Sequence, residues 1–272
     1  MIRDVMVRLE GTASDELRLS AANDIAEEFG SRIIGLYINE LPLLIPEEGG
    51  SIASGELFER AREAGDEVEE RLERRLADLK KPAELHRHDT LSDGAADIAS
   101  REARAADVFV ALRPNGVPRE SENLVESVLF GSGRHVLLVP EGKRGKLSLA
   151  NVVVAWNGSR ESARALAEAL PYLHRAKTTT LLVVTDEERE GDAVLGTEAI
   201  EHLEHHGIEA NLAHVPLGND DIGRRLIAEA QARGANLLVM GGYGHSRFRE
   251  WMLGGATYRL LHESTVPLLL AH

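Results

Sequence analysis

The chain has 272 residues, more than one average domain and enough for two, each with its own core. At 28% charged residues and a formal charge of −14, it is an acidic globular sequence that would repel nucleic acid and anionic membranes over most of its surface, and no apolar run approaches a membrane span. The lack of cysteine excludes disulfides, thiolate metal sites and cysteine nucleophiles; with no signal-like pattern in MIRDVMVRLEG, we expect a cytoplasmic protein without nucleic-acid or membrane partners.

The first half opens with the strand-like DVMVRL, a helix with Leu17, Ala21, Ile25 and Phe29 at helical spacing, and RIIGLYI. A long helix follows, with Leu57, Ala61, Ala64, Val68, Leu72, Leu76 and Leu79 on one face. Its charge-dense surface reads as a solvated face or a partner's cover. Then come the strand AELHRH, a helix over 92–105, the strand DVFVAL, a helix near 120–130 and the strand HVLLVP. The polar stretch EGKRGKLSLA, residues 141–150, reads as a linker, giving domains at 1–142 and 150–272.

The second half repeats the order. VVVAW leads to a helix with Ala163, Leu166, Leu170 and Leu173 on one face, then TTTLLVV, a helix over 190–206, EANLAHV, a helix over 220–233, NLLVM, a Gly-rich segment, a last helix and PLLLAH. Gly11 and Gly158 hold the same place after the first strand of each half, 147 residues apart. Five strands in the same order twice imply duplication. The expected fold class is α/β: two tandem domains, each a five-stranded parallel sheet flanked by helices, Rossmann-like, with ligands beyond the carboxyl ends of the strands.

The Gly-rich segment lies at such an end. MGGYGHSRFREWMLGGAT, residues 240–257, has the spacing G-x2-G-x9-G-G from Gly241 through Gly244 to Gly254 and Gly255. Glycines let backbone N–H groups approach an oxyanion, and a helix start adds unpaired donors and a positive dipole end. The alternative is that these glycines only permit turns in a long loop.

GGYGHSRFREWMLGG, followed by a helix and VPLLLAH, resembles the closing motif of the universal stress protein family, G-2x-G-9x-G-(S/T). VVVAWNGS resembles that family's first strand and helix start. The resemblance covers essentially the whole chain as two tandem domains of an adenine nucleotide alpha hydrolase-like fold. It implies ATP, or AMP or ADP, as ligand, with Mg accompanying the phosphates. It further implies cofactor contacts at Ala155, Trp156 and Asn157 after strand one, Val184 at the end of strand two, and Met240 and Gly241 after strand four. Gly244 and His245 fall at the phosphate turn, and Gly254, Gly255 and Ala256 at the helix start. Two positions depart from the pattern: Asn157 stands where the ribose-binding acid is expected, and Gly255 where a hydroxyl is. A hydrogen bond to a charged group contributes about 1.5–3 kcal/mol, against the roughly 8 kcal/mol of micromolar affinity, so these departures weaken a site without abolishing it.

In the first half, aligning HVLLVP with PLLLAH puts Glu122 and Asn123 where Gly254 and Gly255 stand, and a carboxylate there would oppose a phosphate. Gly131 and Gly133 read as a helix end and turn. One nucleotide site per chain is therefore expected. Ser159 reads as a helix cap rather than a nucleophile. His202, His205 and His206 have a spacing compatible with zinc but read as solvated, and His86, His88 and His214 as structural. No catalytic or metal-ligating residue is assigned.

The functional expectation is a stress-response protein that binds adenine nucleotide in its C-terminal domain and acts as a ligand-dependent regulator. Its two domains would pair within the chain, PLLLAH against HVLLVP, and a homodimer is open. The alternatives are a protein-interaction module with a decayed nucleotide site and a slow ATPase.

Overall fold

The computed structural model describes residues 1–42, 51–91, 94–114, 120–140, 146–185, 194–243 and 255–272. The linker residues 141–145 and the first part of the helix expected at 190–206 lie outside them. The chain forms two compact units, one of Ile2–Ala111 with Ser121–Ser132, the other of Leu112–Glu120 with Gly133–His272 and Met1. No described helix is long and apolar enough to cross a membrane.

The first unit runs β1 (Asp4–Leu9), α1 (Asp15–Phe29), β2 (Arg32–Leu41), α2 (Ser51–Ala77), β3 (Ala83–Leu91), α3 (Ala95–Ala103), β4 (Val108–Leu112) and α4 (Glu122–Gly131). Its strands pair in parallel in the order β3-β2-β1-β4. Strands β1 and β4 are buried almost throughout, as expected of strands covered by helices on both faces. The edge strand β3 is mostly half-exposed and carries charges and histidines, which discourages further strand pairing.

The second unit comprises β5 (His135–Val139), β6 (Asn151–Ala155), α5 (Arg160–Leu173), β7 (Thr178–Thr185), α6 (Thr197–His205), β8 (Ala210–Pro216), α7 (Ile222–Ala232), β9 (Leu237–Gly241), α8 (Ala256–Glu263) and β10 (Leu268–Ala271). Five strands are parallel in the order β10-β9-β6-β7-β8. Strand β5, the fifth in sequence order, lies in this unit and runs antiparallel to β10, with Leu268 opposite Leu138 and Leu270 opposite Val136. Both strands are wholly apolar apart from His135 and fully buried. His135 is satisfied from α5: Nδ1 lies 2.9 Å from Glu168 Oε2 and Nε2 2.9 Å from the Tyr172 hydroxyl.

The helix faces differ from the spacing-based expectation. In α5 the buried residues are Glu161, Ser162, Ala165, Leu166, Ala169, Tyr172 and Leu173, while Ala163 is exposed. In α2 only the last part of the expected stripe is core: Leu72 and Leu76 are buried, whereas Leu57 and Ala64 face solvent. In α1 Leu17 and Phe29 are half-buried and the core positions include Arg18, Leu19, Ala22 and Ala26.

Candidate functional site

A cavity of about 170 Å3 opens at the carboxyl ends of β6, β7 and β9. Strand β6 ends in Ala155, and the Trp156 N–H continues the ladder to the Leu182 carbonyl at 2.9 Å, which holds the indole position at the strand end. The chain then turns sharply: Asn157 Oδ1 accepts the Ser159 N–H at 3.1 Å, and Ser159 caps α5 by accepting the Ser162 N–H at 3.2 Å. The Ser162 hydroxyl donates back to the Ser159 carbonyl at 2.8 Å. Ser159 is thus a helix cap, and the Asn157 carbonyl keeps one lone pair for a ligand hydroxyl.

Strand β9 ends against this turn. A Cβ on Gly241 would sit 2.3 Å from the Glu161 carbonyl carbon, so only glycine lets the strand end approach the first turn of α5 so closely. Beyond it, the Gly242 N–H donates to the Ala271 carbonyl at 2.8 Å. Tyr243 adopts φ +57°, and its N–H donates to the buried Thr257 hydroxyl at 3.2 Å. That bond fastens the start of the Gly-rich segment to the first turn of α8, whose N-cap, Gly255, offers no side-chain acceptor of its own. The first N–H groups of a helix lack intrahelical partners and favour an anion.

The cavity walls are mostly hydrocarbon: Ala155, Leu182, Val184, Leu226 and Met240, with the half-exposed Ile222 at 49% accessibility. Polar groups come from Trp156, Asn157 and Ser162. Behind Gly241 lies Glu161. Burial pushes its carboxyl up, but hydrogen bonds from its own backbone N–H and from Arg160, with the Arg160 and His272 charges, hold it below the usual range.

The structure brings Ala155, Trp156, Asn157, Val184, Met240, Gly241 and Ala256 together around this one cavity. Gly255 precedes α8. Gly244, His245 and Gly254 lie outside the described residues. Sequence reasoning missed Ser162, Leu182, Ile222, Leu226 and Thr257. The i, i+4 spacing of Ile222 and Leu226 at the start of α7 was the available signal for that wall.

The corresponding place in the first unit is built differently. By strand register, Arg8 stands where β6 has Ala155, because Val5 pairs with Ile33 and Val108 as Val152 pairs with Thr179 and Leu237. Arg8 is 7% exposed and pairs with Glu10 at 3.4 Å and Glu40 at 3.6 Å. Arg18, wholly buried, pairs with Asp15 at 2.9 Å and Glu10 at 2.7 Å. The Asp15 carboxylate also accepts the N–H groups of Glu10, Gly11 and Thr12. Burial drives its pKa above the ordinary value in spite of these bonds and Arg18.

The histidines have local roles. His86 and His88 both reach Glu102, at 3.2 and 3.3 Å, and His214 Nε2 lies 2.9 Å from the Leu195 carbonyl. The rings of His202 and His206 meet edge to face at 4.7 Å. Among the described residues, no group of three or more His, Asp or Glu is arranged to hold a metal.

The Universal stress protein family model matches residues 149–272. The whole fold is similar to a universal stress protein from Archaeoglobus fulgidus DSM 4304, with TM-score 0.74 and 16% identity over 98% of this chain and 95% of that one. It is also similar to a functionally unknown protein, PA1789, from Pseudomonas aeruginosa PAO1, with TM-score 0.58 and 16% identity over 99% and 92%. The cytoplasmic domain of a prokaryotic cation chloride cotransporter follows at TM-score 0.50 and 8% identity over 99% and 95%, so this fold is compatible with different roles. No curated protein matches the sequence. Over residues 149–272, the chain carries a domain of the Universal stress protein family.

Proposed function

We propose that the C-terminal domain binds an adenine nucleotide, ATP or its mono- or diphosphate, and that occupancy makes the protein a ligand-dependent regulator of a stress response. The observation that carries this is the cavity between Trp156, Val184 and Met240. At about 170 Å3 it is smaller than the roughly 300–1,000 Å3 of clefts that enclose a whole ligand, so it suits one flat, largely apolar ring. In this reading adenine lies against Leu182, Val184 and Leu226, the ribose reaches Asn157, and the phosphates run over Gly241 toward Gly255 and Ala256, where Gly244, His245 and Gly254 complete the loop. Mg would accompany the polyphosphate. Asn157 supplies a neutral acceptor, so the ribose contact is weaker than a carboxylate would make it.

The regulator role requires that nucleotide bind two conformations of the protein with different affinity. Pairing of the two repeats through their fifth strands belongs to the same proposal, supported by the antiparallel ladder between β5 and β10. The test is a thermal-shift series with AMP, ADP, ATP and UMP. Stabilisation by the adenine ligands over UMP is expected, and equal or absent stabilisation by all four would overturn the reading.

A further inference from the structure

A second cavity, of about 390 Å3, lies within the first unit, between the turn after β1 and the last turns of α2. Gly11 and Thr12 form one wall, and Arg71, Arg74, Arg75 and Asp78 the other. The spacing 71, 74, 75 puts the three arginines on one helical face, and Asp78 follows directly after the helix end. The turn and helix approach closely: Gly11 has φ +71°, and a Cβ there would lie 2.5 Å from Val68 Cγ1.

The arginines differ in their commitments. Arg75 pairs with Glu16 of α1. Arg71 and Arg74 each have a glutamate four residues earlier, yet they donate instead to backbone, Arg71 Nη1 to the Glu67 carbonyl at 3.3 Å and Arg74 Nε to the Glu70 carbonyl at 3.0 Å. Among the described residues, neither makes an ion pair. The lining thus carries three guanidinium groups and one carboxylate, Asp78. Arg75 is committed to Glu16, and the Asp15 carboxylate behind the turn is already held by the Gly11 and Thr12 N–H groups and by Arg18, which leaves Arg71 and Arg74 as a local positive excess on a chain of charge −14.

We propose that this cleft binds a small anion bearing linked phosphoryl groups, a pyrophosphate-type ligand. Arg71 and Arg74 lie a helical turn apart, so each planar fork can clamp one phosphoryl group bidentately. The Gly11 turn closes the opposite side, and Asp78 bounds the site at the end away from Arg71. The cleft lies in the other unit from the cavity at Ala155, so this assignment stands or falls separately from nucleotide binding there.

Calorimetry of the full chain with inorganic pyrophosphate at low ionic strength tests it. Saturable binding is expected, weakened about tenfold or more in Arg71→Gln/Arg74→Gln and unchanged in Arg60→Gln, a residue of the same helix that pairs with Glu56 outside the cleft. Arg71→Lys, which keeps the charge and loses the fork, is expected to bind several-fold more weakly, and it serves as the reading if the double variant fails to fold. Displacement of pyrophosphate by ADP would identify a nucleotide diphosphate as the source, and failure of ADP to displace it a free anion. No saturable heat at millimolar pyrophosphate overturns the proposal. So does wild-type affinity in the double variant or in Arg71→Lys, or equal weakening by Arg60→Gln.

Discussion

Arg8 in β1 and Ala155 in β6 occupy the same register position, the fifth residue of their strands, and the methyl group of one lines a cavity where the other places a buried guanidinium. The duplicated units thus differ at the strand end where a ligand would enter. The difference extends one helix further. Arg18 in α1 corresponds to Ala165 in α5, and both are completely buried.

The ionic cluster of the first unit is therefore expected to be structural. Arg18→Met leaves Asp15 buried without its cation and should cost about 3–5 kcal/mol, the usual penalty for breaking a buried pair. Urea unfolding measures this. A loss below about 1 kcal/mol would place Arg18 among the weakly contributing surface pairs and contradict the assignment.

Val184 is half-exposed at the end of β7 and lines the proposed ring site. Val184→Trp should fill the cavity without disturbing the core beneath it. Adenine nucleotide affinity is expected to fall at least about tenfold while the melting temperature of the free protein stays within a few degrees, roughly the 1 kcal/mol scale. Unchanged affinity would place the base elsewhere.

Much of this arrangement was legible in the sequence, and the exceptions have physical causes. VVVAW and NLLVM are apolar runs too short for helices, and their repetition in both halves implied parallel strands whose carboxyl ends border the candidate site. Arg8 interrupts DVMVRL, and a charge in a strand normally signals an exposed position. Its burial depends on Glu10 and on Glu40 of another strand, and so it appears only when the fold brings them together. In α5 four alanines make more than one stripe compatible with a helical period. The stripe through Ala163, Leu166, Leu170 and Leu173 is slightly rotated from the buried face, which takes Leu166 and Leu173 but Ala165 and Ala169 in place of Ala163 and Leu170. Thr257 was hidden because its partner, the Tyr243 N–H, lies fourteen residues away.

Gly241 is predicted to reject even the smallest side chain. A methyl group there would meet backbone, the Glu161 carbonyl and the Ser162 N–H, neither of which can rotate away. Gly241→Ala should cost about 1–3 kcal/mol through overpacking, and the shift of β9 from α5 should weaken nucleotide binding as well. Chemical denaturation with a parallel titration reads both, and a variant of wild-type stability would disprove the close approach.

The pair of His135 and Glu168 predicts a pH dependence. Burial pushes the Glu168 carboxyl up, but the His135 hydrogen bond and the charges of His135, Arg164 and Arg134 hold it below its ordinary value of 4.5. As pH falls below that value the unfolded chain takes up the proton first, so this contribution to stability is present above it and is lost through the lower folded value. Glu168→Gln should lower stability at neutral pH by about 1–3 kcal/mol and flatten the acid limb of the stability curve. A parallel acid limb in the variant would show that another group governs it.

Calorimetric titration of ATP into the purified full chain tests the central claim most directly, because it reads affinity and stoichiometry together. One molecule bound per chain, lost in Val184→Trp and retained in Arg71→Gln/Arg74→Gln, is the predicted result. Two equivalent ATP sites per chain, or no saturable heat at millimolar ATP, would contradict it.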